Sequence, residues 1–214
     1  MPKNRTANIK KGDDYRHGDL VNACVEVGLR LIKEQGVEKL SLRAIAREIG
    51  VSMGAPYKHF DSKEALLAAI AKRGFDTFEA YLTAASPEGI HFMTRERFTT
   101  MGYQYLRFAQ ENPEYYRLMF TNVIPNHRDY PELWASSKRT FRLLIQAIEV
   151  LQREGTVRAG SAVELATHTW AMLNGFVFLH LEQRLSQVEA EPRPIEELFR
   201  PHFELMFTGL EVKG

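Results

Sequence analysis

Apolar residues recur every three to four positions along almost the whole chain, which is the period of a helix with one buried face. Leu20, Ala23/Cys24, Val27 and Leu31 form the first stripe, and Gly36 stands where a left-handed cap would end it. Ser41 is placed to N-cap a second segment with Leu42, Ile45, Ala46 and Ile49 on one face and Gly50 at its end. A short third helix fits residues 53–60, with Ser52 as cap and Pro56 near the first turn, although proline disfavours helical angles at Ala55. Asp61 and Glu64 have the spacing of a capping box, and Leu66, Leu67, Ile70, Ala71 and Phe78 continue a long fourth helix.

Ser86-Pro87-Glu88-Gly89 breaks this pattern and marks a candidate domain boundary. Beyond it the helical period resumes at about 94–111, in a short helix opened by Asn112-Pro113, and at about 132–154, 162–183 and 195–210, with Pro201 expected to kink the last. A loop holding Pro125 and Pro131 separates the short helix from 132–154. No window alternates with β-branched residues, so the predicted fold class is all-α.

Composition adds exclusions. The 214 residues are 44% hydrophobic and 26% charged, an ordinary globular balance. One cysteine excludes an internal disulfide and a four-cysteine zinc site. The longest near-apolar run, residues 170–179, falls well short of the roughly 20 residues a membrane span needs. With a polar, basic start and no apolar segment behind it, the expectation is a cytoplasmic protein without a membrane partner.

The net charge of +1 hides a split: residues 1–60 carry eleven Lys/Arg against seven Asp/Glu, and the remainder seventeen against twenty. Lys3, Arg5, Lys10 and Lys11 make residues 1–16 a basic, flexible arm by expectation. Such asymmetry suits a polyanion contact at one end, and equally a solvated tail.

Residues 41–60, SLRAIAREIGVSMGAPYKHF, read as helix, glycine turn and short helix, which is helix-turn-helix grammar. In that arrangement the second helix enters the DNA major groove. Ser41, Arg43, Tyr57, Lys58 and Lys63 can donate to phosphate oxygens. Ser52, Met53, Gly54 and Ala55, small or apolar, occupy the end that reaches base edges, so reading would rest on close backbone approach and thymine-methyl contacts. Segments of this grammar also occur as plain packing elements, and the pattern alone leaves both readings open.

The stretch from His17 to Phe75 resembles the DNA-binding domain of the TetR family of bacterial transcription regulators. Ala23, Gly36, Leu42, Ile45, Ala46, Gly50, Val51 and Ser52 carry the likeness, with the run from Tyr57 through His59-Phe60 and Lys63 to Leu66 and Leu67. Trp170 to Gly175 is similar to a Trp…His-Gly signature of one C-terminal subgroup, with Asn174 where that subgroup has histidine. The Ala55-Pro56-Tyr57 variant is similar to the same subgroup.

The resemblance implies a three-helix DNA-binding domain at 17–75. A long fourth helix would join it to a larger helical domain at 76–214 for effector binding and dimerisation. It implies DNA contacts from Ser41, Leu42, Arg43, Ser52, Met53, Gly54, Ala55, Tyr57, Lys58, His59 and Lys63, with His59-Phe60 locking the recognition helix to the fourth. The expected partners are palindromic double-stranded DNA, a second copy of the chain and a small hydrophobic or aromatic effector that releases a repressor. No cofactor and no metal are expected.

Residues 165–181 are apolar on several faces, and a helix apolar all round is buried on both sides; the last helix carries a wide apolar face. A homodimer through Phe176, Phe178, Phe199, Phe203 and Met206 is expected, with reading heads one DNA turn, about 34–36 Å, or a multiple of it apart. The aromatic and methionine-rich middle region suggests an effector cavity among Met101, Tyr105, Tyr116, Met119, Phe120, Trp134, Phe141, Trp170 and Asn174, with His168 a further polar handle.

An enzyme is poorly supported. Glu88-x-x-His91 is a single motif where a di-iron bundle needs two, and Glu164 and His168 lack a surrounding His-Glu-x-x-His pattern. Cys24 lies on an apolar stripe and reads as a packed thiol. The competing reading is a helical metal- or ligand-binding protein without DNA contact, which salt-dependent DNA affinity would exclude.

Overall fold

The computed structural model describes residues 17–187 and 193–212, and the expected basic arm at 1–16 lies outside them. Eight α-helices run through the described residues: α1 His17–Gln35, α2 Leu42–Ile49, α3 Lys63–Thr83, α4 Arg95–Glu111, α5 Pro113–Phe120, α6 Pro131–Arg153, α7 Ala162–Leu181 and α8 Ile195–Thr208. The only β feature among these residues is an isolated bridge between Val157 and Glu211. The fold is all-α.

The chain punctuates these helices with residues suited to the task. Ser41, Thr94 and Ser161 turn their hydroxyls to the first free amides of α2, α4 and α7. Gly50 ends α2 in the left-handed region at φ 79, ψ 32, and both its N–H and that of Val51 donate to the Ala46 carbonyl. Gly36 also takes a positive φ, 83, but with ψ 159, an extended glycine conformation that turns the chain toward α2.

Three local expectations need correction. The cap of α3 is Ser62, whose hydroxyl accepts from the Ala65 amide, so Asp61 and Glu64 form no capping box. Residues 53–60 do not form a regular helix: turns lead into a single 3-10 turn at Pro56–Lys58. Ala55 is nevertheless helical, at φ −63 and ψ −47, despite the proline that follows it. Pro56 lacks an N–H and its side is buried, so it anchors the turn by packing.

One continuous body of buried apolar side chains runs from Leu20 to Leu210. Helix α3 organises it, packing on α1 toward the N-terminal part and on α4, α5 and α6 beyond. At 1.5 Å per residue its 21 residues span about 30 Å, the diameter of a small domain. Where α4 crosses α8, Gly102 lets the Phe203 ring approach so closely that a Cβ would lie 2.2 Å from the ring's nearest carbon.

The same packing overturns most of the expected dimer contacts. Phe176, Phe199, Phe203 and Met206 are sealed inside the chain, with Phe199 stacked edge-on against Phe176 and Tyr103. Their stripe meets α4 and the facing surfaces of α7 and α8, so it is spent on the chain's own core. Of that set only Phe178 is exposed. The apolar residues left on the outside of α7 and α8 are Val163, Trp170, Phe178, Leu179 and Leu205.

Candidate functional site

An exposed turn segment begins where Gly50 redirects the chain out of α2. Ser52, Met53 and Gly54 stand exposed, and the Ala55 amide closes a turn on the Ser52 carbonyl at 2.9 Å. The Lys58, His59 and Phe60 amides bond back to Ala55 and Pro56. Buried Pro56 and Phe60 pin the segment, while Tyr57 and Lys58 face outward. Met53 and Tyr57 are 49% and 47% exposed.

The surrounding charge is selective. Arg30 is engaged by Glu48 at 2.7 Å, and Arg73 reaches Glu26. Among the described residues no ion pair is formed by Arg43, Arg47 or Lys58, and all three are exposed. Arg47 is a basic residue the sequence reading passed over. Its position, i+4 from Arg43 on the polar face of α2, was a signal for it.

Other expected contact residues are placed differently. Leu42 is buried at 3% exposure, because it begins the apolar face of α2, and it contributes packing. Ser41 is exposed with its hydroxyl accepting from Ala44. The Lys63 ammonium donates to the Glu38 carbonyl at 3.2 Å, tying the start of α3 to the turn after α1. His59 is half-buried beneath the segment.

The second feature is a cavity of about 780 Å³ between α3, α4, α6 and α7. Its inner wall is Phe78, Met101, Tyr105, Met119, Phe120, Leu173 and Phe203, and both tryptophans of the chain, Trp134 and Trp170, line it with Phe141. The ring contacts are mostly edge-to-face, for example Phe78–Tyr105 at 5.1 Å and Phe141–Trp170 at 5.9 Å. Toward solvent the lining turns polar, with Asn122, Asn126, Arg128, Lys138 and Arg142.

Tyr116, Asn174 and His168 do not line this cavity. His168 is exposed on α7. Tyr116 sits behind Tyr105, its hydroxyl 3.3 Å from the Tyr105 hydroxyl and hydrogen-bonded to the Asn174 side-chain oxygen, which Tyr105 also reaches. Burial pushes both phenols well above their ordinary pKa, so they remain neutral donors. This network braces the cavity wall from behind. Two buried threonines, Thr140 and Thr169, also line the cavity, each hydroxyl donating to its own helix. Their spacing carries no signal that separates them from core threonines.

Among the described residues no group of three His, Cys, Asp or Glu side chains is placed to hold a metal. Glu88 pairs with Arg97, and Cys24 is fully buried.

Residues 98–206 match the family model for the tetracyclin repressor-like C-terminal domain, and residues 25–70 match that for bacterial regulatory proteins of the tetR family. The chain belongs to the TetR family.

A solved structure from Rhodococcus sp. RHA1, described as a protein with unknown function, is 28% identical with a TM-score of 0.79. The match covers 94% of this chain and 100% of that one. PfmR, a TetR family transcriptional regulator from Thermus thermophilus, shares the fold at 21% identity and a TM-score of 0.62, over 88% and 99% of the two chains. An HTH-type transcriptional regulator of Staphylococcus aureus (strain bovine RF122 / ET3-1) is 40% identical over 53 residues, 25% of this chain and 29% of that protein. The alignment thus spans less than a third of that relative's length.

In this TetR family member α3 touches both features. Its first residue, Lys63, follows the exposed 52–60 segment closely in sequence and is tied to the turn after α1, and Phe75, Phe78 and Leu82 line the cavity. A polar clamp fastens α3 to α6. Asp76 accepts from Lys72 at 2.8 Å, the Ser136 hydroxyl at 3.0 Å and Arg139 at 2.8 Å, and Arg139 reaches Glu79 at 2.6 Å. Burial opposes ionisation of Asp76, but Lys72, Ser136 and Arg139 outweigh it and hold the carboxyl below its ordinary pKa.

Proposed function

We propose that this TetR family protein is a ligand-responsive transcriptional regulator, most simply a repressor, that binds a palindromic operator as a homodimer in the cytoplasm. The observation that carries the reading is that one helix, α3, follows directly on an exposed segment flanked by the cations Arg43, Arg47 and Lys58 and walls a large apolar cavity along its middle. Residues 17–75 would serve as the DNA-binding unit, with 76–214 holding effector and partner, and no catalytic role is assigned.

In this reading Arg43, Arg47, Tyr57 and Lys58 contact phosphates, where neutralising backbone charge releases counterions. Ser52, Met53 and Gly54 approach base edges. Because the segment is a tight turn with small side chains, its backbone can come closer to the groove floor than a regular helix with long side chains. Lys63, held by the Glu38 carbonyl, positions the head; it is not assigned a phosphate.

The exposed residues of α7 and α8 fit the dimer face. Phe178, Leu179 and Leu205 project outward, and a shallow apolar groove lined by Leu185, Leu198 and Pro201 adjoins Leu205. Gly175 opens on the same side of α7 with nothing within 4 Å of where its Cβ would be, so a partner helix could approach closely.

Control follows as a population shift. Filling the cavity moves the wall formed by α6 against α3, and the Asp76/Glu79–Arg139 clamp passes that displacement to the reading head. The two heads then leave operator spacing, and by linkage DNA weakens ligand binding by the same factor.

Fluorescence anisotropy with a labelled duplex at rising salt tests the DNA contact. Affinity should fall steeply with salt, and Lys58→Ala should weaken binding to every duplex while reducing the salt slope by about 1. Salt-independent affinity, or a variant indistinguishable from wild type, would overturn it.

A further inference from the structure

Charge around the cavity mouth is one-sided. Arg128, Lys138 and Arg142 line it, and no aspartate or glutamate does. Among the described residues none of the three forms an ion pair, whereas the neighbouring Arg139, turned the other way, is fully engaged with Asp76 and Glu79. Asp129 and Glu132 lie close in sequence but outside the lining, and Asp129 accepts from the Asn126 side chain at 2.8 Å.

Two of the cations meet at one ring, and the third lies one helical turn further along the same lining. Arg128 comes from the 3-10 turn before α6 and sits 5.2 Å from the centre of the Trp134 ring, with the Lys138 ammonium 5.4 Å from the same ring. Lys138 and Arg142 are i and i+4 on one helix, where like charges repel. Cation–π contact with Trp134 offsets part of that repulsion but supplies no counter-charge. A mouth built this way is complementary to an oxyanion, and the aromatic interior behind it to an apolar body.

We propose that the cavity binds an amphipathic anion, with its apolar body among the inner rings and a carboxylate or phosphate head held by Arg128, Lys138 and Arg142. The proposal rests on the reading of the cavity as the effector site and narrows the effector to one chemical class. Arg supplies a planar fork for two oxygens, and Lys a mobile point charge. Apolar area fills the pocket, and the head group fixes orientation and excludes neutral hydrocarbons of the same shape.

Both tryptophans line the cavity, so intrinsic fluorescence of the full chain reports occupancy directly. Decanoate, decyl phosphate and decanol serve as probes with a common body and different heads. At least one anion should give a saturable change with an affinity tenfold or more above that of decanol, and the comparison of the two anions identifies the preferred head. A Lys138→Gln, Arg142→Gln double variant, changed only at exposed positions, should lose that tenfold preference and keep its decanol affinity. Equal binding of decanol, no saturable response to either anion, or an undiminished preference in the double variant would overturn the proposal. Anion binding that leaves DNA affinity unchanged would uphold the head-group site and overturn the effector reading instead.

Discussion

Gly54 shows how a single residue separates folding from recognition. A Cβ built there meets nothing within 4 Å, and its backbone is not in the left-handed region. Gly54→Ala should therefore leave the melting temperature nearly unchanged. Against DNA the added methyl would meet the groove, so the variant should change which duplex is preferred in competition binding. Unchanged preference would place the reading surface elsewhere. Cys24 makes the opposite case, a reactive group disarmed by its place. Burial raises its thiol from the ordinary 9.0 to about 11. The native protein should resist iodoacetamide at pH 8, and the denatured chain should react readily. Linkage gives the sign: the folded chain keeps a proton that the unfolded chain releases above about pH 9. The stability tied to this group is complete below that pH and declines as pH rises toward 11, as denaturation midpoints should show.

Among the elements, the long helices were legible in the sequence and the short reading segment was not. The apolar stripes of α1, α2, α4, α6 and α7 repeat over two or more turns, and Ser41 and Gly50 mark the ends of α2. Residues 53–60 offered only about two turns of period, with Pro56 inside them, and packing of Pro56 and Phe60 decided the conformation. Cavity residues were partly legible because aromatics cluster in the middle region, but sequence spacing could not tell wall from lining. Tyr116 and Asn174 fell behind the wall for that reason. The clamp between α3 and α6 was not visible at all, since Asp76 and Arg139 are distant in sequence. Arg139→Gln should leave the fold stable, because partly exposed ion pairs contribute about 0–1 kcal/mol. It should nevertheless reduce the change in DNA affinity that an effector produces, measured by anisotropy with and without ligand. A full response in the variant would show that α3 is moved by packing alone.

At the scale of the whole molecule, the family, the all-α class and the link between the two ends of the chain agree. The expected dimer residues illustrate the limit of pattern reading. A helix apolar on several faces announces two buried sides without saying which side meets its own core, and Phe176, Phe199, Phe203 and Met206 took the inner one. The outer side supplies its own test. Leu205 is 72% exposed in the single chain, so Leu205→Glu should cost the isolated subunit little. In a dimer it would bury an unpaired charge, so sedimentation should show a shift toward monomer and operator affinity should fall at least tenfold. The central claim, a sequence-reading dimer, is tested most directly by selecting bound duplexes from a random pool with the purified protein at moderate salt, with and without the anionic probes. The account predicts a palindromic consensus with half-sites one helical turn or a multiple apart, enriched without probe and lost when probe is added. A folded protein that enriches no sequence under either condition, or only a single unrepeated half-site, would contradict it.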